Sequence, residues 1–141
     1  MNEDPHVISG SCFKDKRGEL FFNNNFDFTM IKRMYIIKNK DTSIERGWIG
    51  HKIEQRWFCA SSGKFLISLI KIDNWDSPNI NLQQKKYILN AKKLDILFIP
   101  KGYVTLIKSL KESSKLIVMA DFLMGKINDV YRFDQSYFKE I

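Results

Sequence analysis

The strongest constraint on this chain is a rhythm. Short apolar and β-branched runs recur at roughly 8–12-residue spacing, separated by turn-forming clusters, with little helical periodicity between them. Leu20 to Phe22, Met30 to Ile37, Arg56 to Ala60, Phe65 to Ile72, Lys86 to Leu89, Ile96 to Ile99, Val104 to Ser109 and Leu116 to Phe122 read as strands. Lys16-Arg17-Gly18, Asn23-Asn24-Asn25, Ser61-Ser62-Gly63, Asp76-Ser77-Pro78-Asn79 and Pro100-Lys101-Gly102 punctuate them, supplying the φ values and local hydrogen bonds that turns need. The pattern predicts an all-β sandwich or closed barrel. In Phe65-Leu66-Ile67 and Leu116-Ile117-Val118-Met119 the apolar residues are consecutive. Both faces of those strands therefore need cover, from the opposite sheet and from something outside it, for which a dimer partner is a natural choice. Only the tail, Asp134 to Ile141, reads as a short amphipathic C-terminal helix, one that would bury Tyr137 and Phe138.

With 141 residues, 44% of them hydrophobic, the chain reads as a single domain, 1–141, able to bury a core without disulfides or metals. No apolar stretch approaches the roughly 20 residues of a membrane helix, so no membrane association is expected. The start, Met1-Asn2-Glu3-Asp4-Pro5, is polar and acidic, unlike a signal peptide. Cys12 and Cys59 lack a CxxC spacing and read as reduced thiols of a cytoplasmic protein. The net charge of +7 comes from lysines scattered along the chain, including Lys14, Lys38, Lys85 and Lys93. Nothing gathers them on one face with interleaved aromatics, so nucleic acid is not the expected partner. A basic excess does suit a small phosphate-bearing ligand steered inward.

Polar and aromatic groups concentrate in Arg46-Gly47-Trp48-Ile49-Gly50-His51-Lys52-Ile53-Glu54-Gln55-Arg56-Trp57-Phe58. Read as one extended segment, His51, Ile53, Gln55 and Trp57 share a face, and Lys52, Glu54, Arg56 and Phe58 share the other. If the first set lines a barrel interior, it offers an imidazole, an amide and a stacking ring, the groups a sugar or base pocket uses. The plain alternative is that His51 is a hydrogen-bonded strand residue without chemistry. Downstream, Leu94 to Ile99 runs as an apolar strand into Pro100-Lys101-Gly102 and re-enters a strand at Tyr103-Val104-Thr105.

Gly47, His51 and Pro100-Lys101-Gly102 resemble the two cupin motifs, which implies a cupin-type (jelly-roll) barrel. Metal-binding cupins place His-x-His and Glu in the first motif and a further His after the Pro-x-Gly turn. Here the first motif holds one histidine and Thr105 stands at the last position, with His6 far away in sequence. A lone imidazole does not make the ligand set of a first-row metal, so no metal and no cofactor are expected. A narrower resemblance covers almost the whole chain. Lys16-Arg17-Gly18-Glu19-Leu20, Ile31 to Ile36, Arg46-Gly47, His51-Lys52, Glu54-Gln55, Ile99-Pro100 and Asp129-Val130-Tyr131-Arg132 resemble the sugar-nucleotide 3,4-ketoisomerases and dTDP-4-dehydrorhamnose 3,5-epimerase.

Those families are metal-free cupins, usually homodimers, acting on dTDP-4-keto-6-deoxyhexoses for surface polysaccharides. The resemblance implies proton transfer beside a ketone, with His51 as base and Tyr131 or Tyr103 as a substitute proton donor. It implies Arg33 and Arg46 at the diphosphate, with Lys52, Gln55 and Tyr103 also in contact with substrate. The chain departs from the pattern at Ile49, where those families carry a further His, and at Phe122-Leu123, where the epimerases place a tyrosine acid. Three readings stay open on the sequence: an isomerase or epimerase, a non-catalytic sugar-nucleotide-binding cupin serving as sensor or partner subunit, and a structural dimer without nucleotide.

Overall fold

The computed structural model describes residues 3–140 as twelve strands and no helix. They are β1 (His6–Ile8), β2 (Ser11–Asp15), β3 (Gly18–Phe22), β4 (Arg33–Ile37), β5 (Glu45–His51), β6 (Arg56–Ser62), β7 (Lys64–Lys71), β8 (Gln84–Asn90), β9 (Ile96–Ile99), β10 (Tyr103–Ser109), β11 (Lys115–Ala120) and β12 (Tyr131–Arg132). Two five-stranded antiparallel sheets run β1-β9-β6-β11-β4 and β12-β5-β10-β7-β8, and β2-β3 form a separate hairpin. The eight runs read as strands all carry one. The segment 46–58, read as a single extended piece, is instead two strands in different sheets joined by a loop.

The main core lies between the sheets. Phe58, Ala60, Leu97, Leu116 and Val118 from the first meet Phe65, Ile67, Leu69, Leu89 and Ile107 from the second. The consecutive apolar runs do have two covered faces, and the outer cover comes from this same chain. Outside the first sheet, Phe26 and Ile31 pack on Trp57, Phe98 and Met119. Outside the second, Trp75, Phe133, Tyr137 and Phe138 pack on Trp48, Ile70 and Val104. What stays open is the edge strand β4, with Met34 60% and Ile36 55% exposed, and the hairpin, with Phe13 and Leu20 exposed. No helix among the described residues is long and apolar enough to cross a membrane.

The expected C-terminal helix is absent. After β12 the tail runs as a strap of turns, its backbone committed outward: Phe133 N donates to the Trp48 carbonyl at 3.0 Å and Lys139 N to the Ile80 carbonyl at 2.8 Å. The Asp134 carboxylate accepts from Ser136 N at 2.9 Å, a local turn that competes with helix. Tyr137 and Phe138 are nonetheless the residues that pack inward, with the Tyr137 hydroxyl on the Pro78 carbonyl at 2.7 Å. Ile141 lies outside the described residues.

Candidate active site

Between the sheets, toward one end, lies a cavity of about 130 Å³ whose wall includes Tyr35, Arg46, Ile49, His51, Glu54, Arg56, Tyr103 and Thr105. Two departures from strand regularity decide which side chains reach it. The first is a bulge in β5. Ile49 pairs with Thr105, but the next β10 residue, Leu106, pairs with Gly47, which leaves Trp48 as an extra residue. Trp48 turns outward and is buried under Phe138. Strict alternation from Ile49 would put Arg46 outside; the extra residue brings it in. Gly47 permits this: its φ is +137°, and a Cβ there would meet the Thr105 carbonyl oxygen at 2.2 Å.

The second departure follows His51, where β5 ends. Residues 52–54 form a short bend whose amides converge on one carboxylate. Asp129, 3% exposed, accepts from Lys52 N, Ile53 N and Glu54 N, each at 2.9 Å. Asp121 secures the far end, accepting from Gln55 N at 2.9 Å and Gln55 Nε2 at 3.1 Å. The bend reverses the alternation, so Glu54, Arg56 and Phe58 face the cavity with His51, while Ile53 is exposed and Trp57 lies in the outer layer.

His51 Nδ1 lies 2.8 Å from the backbone carbonyl of Asp129. A carbonyl only accepts, so Nδ1 carries the proton and Nε2 keeps its lone pair. Burial, helped by the charges of Arg56 and Arg33, pushes the imidazole down to about 4, with the Asp129 carbonyl and carboxylate working against them. His51 is therefore a neutral base at physiological pH. Around it the charges are mostly positive. Arg56 makes a close ion pair with the Glu54 carboxylate, and Arg33 Nη2 lies 3.8 Å from the same carboxylate. Arg56 Nη1 donates to the Tyr35 hydroxyl at 2.7 Å, and Arg33 lies over the Tyr35 ring, 5.3 Å from its centre. Arg46 lines the cavity beside Ile107, its Nε donating to the Asn39 side-chain oxygen at 3.3 Å. Such forks of donors around an apolar floor suit an anionic, oxygen-rich ligand.

Of the residues singled out in the sequence, His51, Arg46 and Tyr103 meet in the cavity wall, and Tyr103 stands directly across the ladder from His51. Arg33 joins through Glu54 at the rim. The other three sit elsewhere. Tyr131 pairs with Gly50, which places its ring on the outer face of the sheet against Trp75, 4.8 Å away. Lys52 follows it there, its ammonium 5.5 Å from the Tyr131 ring. Gln55 is held by Asp121 in a neighbouring cleft. Tyr35, Glu54 and Arg56 were not singled out. The one local signal for the last two is a pair of opposite charges opening an otherwise apolar strand, Glu54-Gln55-Arg56-Trp57-Phe58-Cys59-Ala60. Ile49 and Thr105, the positions lacking the expected histidines, both line the cavity. Cys12 is exposed, Cys59 is buried, and neither is in a disulfide.

The family described as FdtA: WxcM-like, C-terminal matches residues 3–141. The chain belongs to the FdtA family. Comparison with curated proteins finds no match. Among solved structures, this FdtA-family chain is similar to a His-to-Asn mutant of the 3,4-ketoisomerase QdtA from Thermoanaerobacterium thermosaccharolyticum, in complex with TDP-4-keto-6-deoxyglucose. The two share 25% identity over 97% of this chain and 93% of that one, with a TM-score of 0.72. A 3,4-ketoisomerase from Helicobacter canadensis gives 24% identity over 96% of each chain and a TM-score of 0.70. The dTDP-4-dehydrorhamnose 3,5-epimerase from Sulfolobus tokodaii gives 19% identity, 96% and 80% coverage and a TM-score of 0.74. The FdtA-family chain thus has the cupin-type barrel of these isomerase-class enzymes.

Proposed function

We propose that this protein is a nucleotide-sugar isomerase or epimerase. It moves a proton at the carbon beside the ketone of a dTDP-4-keto-6-deoxyhexose, with His51 as the base. The observation that carries the reading is the neutral imidazole, fixed through Nδ1 by the Asp129 carbonyl, in a cavity walled by guanidinium groups. A C–H next to a carbonyl yields its proton to a positioned base when a donor supports the developing enolate, and Nε2 is free to take that proton. A cavity of about 130 Å³ accommodates a single sugar ring better than a whole nucleotide. The diphosphate and nucleoside then lie toward the rim, with Arg33 and Arg46 as the cations that hold the charged part. The likeness to a ketoisomerase that binds TDP-4-keto-6-deoxyglucose supports the same ligand class. The reading carries with it a cytoplasmic homodimer serving surface polysaccharide synthesis.

The second reading, a binding protein without catalysis, is favoured by one observation: Ile49 and Thr105 face the cavity in place of imidazoles. Incubating a dTDP-4-keto-6-deoxyhexose with the protein in D₂O separates the two. We expect deuterium in a ring carbon, detected by NMR and mass spectrometry. His51→Asn should abolish the exchange and leave TDP affinity, by calorimetry, within a few-fold. Tight TDP binding by the wild type with no exchange would establish the binding protein instead.

A further inference from the structure

The reaction proposed above needs a second group. When His51 Nε2 takes the proton from carbon, the C–H electron pair becomes a C=C bond and the carbonyl π pair moves onto oxygen. That oxygen needs a donor already in place. Returning a proton to the same carbon gives the epimer. Protonating the former carbonyl carbon, with the neighbouring hydroxyl's proton passed to the enolate oxygen, gives the isomeric ketone. Neither course requires any other reactant.

Of the two expected phenols, Tyr131 lies on the opposite face of the sheet, whereas Tyr103 stays in the cavity wall across from His51, where it can serve proton return. Among the fully buried side-chain donors of the cavity wall, one is left without a partner. Arg56 Nε is buried and has no hydrogen-bond partner. The rest of that guanidinium is committed, Nη2 to Glu54 and Nη1 to the Tyr35 hydroxyl, which fixes its plane and leaves Nε–H over. Arg33 Nε is likewise unpartnered, but Arg33 has 20% of its side chain exposed against 8% for Arg56 and does not line the cavity. Arg56 is also tied to the base in space. His51 and Arg56 are the two ends of the bend whose amides Asp129 and Asp121 hold. His51 faces Tyr103 across one ladder and Arg56 faces Ile99 across another. Ile99 and Pro100, both in the cavity wall, lead directly to the turn before Tyr103, so the two side chains enter the same end of the cavity.

We propose that Arg56 is the electrophile of this isomerisation, its Nε–H donating to the ketone oxygen as that oxygen becomes an enolate. The proposal rests on the function given above. The surrounding charges fit it. Glu54 is the one carboxylate between Arg33 and Arg56, so this cluster keeps a single net positive charge (two minus one), which an enolate matches and a neutral ketone does not. The same charge disfavours protonation of His51 in the free protein.

The test compares wild type, Arg56→Lys, Arg56→Gln and the double variant Glu54→Gln/Arg56→Gln, which leaves no stranded buried carboxylate. Each is measured for deuterium exchange into the keto-sugar, TDP affinity by calorimetry, and the pH profile of exchange. Loss of one such donor is expected to slow exchange about 10²–10³-fold in both Gln variants, with TDP affinity within about threefold and partial recovery in Arg56→Lys. Removing the charge should also shift the acid limb of the profile to higher pH, because Arg56 lowers the His51 imidazole; the role in the reaction is read from the rate at saturation and its recovery in Arg56→Lys. Near-wild-type exchange in the Gln variants, or a collapse of TDP affinity with the exchange rate at saturation unchanged, overturns the assignment to Arg56. Absence of exchange in the wild type overturns the underlying function instead.

Discussion

His51 donates its Nδ1 proton to a backbone carbonyl, not to a carboxylate. Burial first, and then the charges of Arg56 and Arg33, hold it at about 4, against 6.5 for the free side chain, outweighing the opposing pull of the Asp129 carbonyl and carboxylate. The consequence for stability has a definite sign. Between these values the unfolded chain binds a proton that the folded one refuses. The contribution is whole above about pH 6.5 and falls away as pH drops toward 4. Urea denaturation at pH 7 and pH 4 should show the wild type losing about 2 kcal/mol more than His51→Asn over that interval, once screening of a part-exposed ring is allowed for. Equal losses would place the imidazole in open water. His51 and Arg46 were legible at this scale because each stands in a short motif beside a glycine. Arg56 and Asp129 were not. Arg56 was assigned to the wrong face by counting alternation through a bend, and Asp129 meets its partners 75 to 78 residues away in sequence.

Among the elements, β7, β10 and β11 could be read directly because their apolar runs leave no other way to bury both faces. β5 could not. Its bulge is dictated by the neighbouring strand, where Leu106 faces Gly47 and Trp48 is displaced into the outer layer. Sequence alternation has no symbol for one residue being skipped. Gly47 is the pivot, and Gly47→Ala should destabilise the protein by at least about 2 kcal/mol, from the left-handed φ and the carbonyl in the way. Because Arg46 turns with the bulge, TDP affinity should fall in the same variant. Denaturation and calorimetry check the two effects, and an unchanged midpoint would show that β5 can regularise. The tail was misread for a related reason. Phe133, Tyr137 and Phe138 do share a side, but the tail's backbone is tied to Trp48 in the sheet, to Ile80 in a loop and to its own turn at Asp134, in place of a helical ladder.

For the molecule as a whole, both sheets are covered by the chain's own loops, yet Met34 and Ile36 on an edge strand and Phe13 and Leu20 on the hairpin remain open to solvent. These are the apolar groups that a second copy would cover. Sedimentation velocity at micromolar concentration should give twice the chain mass, and Ile36→Lys should shift it toward the single chain. A clean wild-type monomer removes the dimer. Strand spacing narrowed the fold to a sandwich or barrel and the likeness to the cupin motifs chose between them, whereas the clamp that joins residue 129 to residues 51–54 arises only when distant strands come together. That clamp also sets a schedule for biosynthesis. A chain emerging from the ribosome exposes its histidine long before the aspartate that will orient it, so the growing polypeptide holds an idle imidazole until the later strands follow. On the proposed function, the base is not set for chemistry until residue 129 and the strands around it have been made.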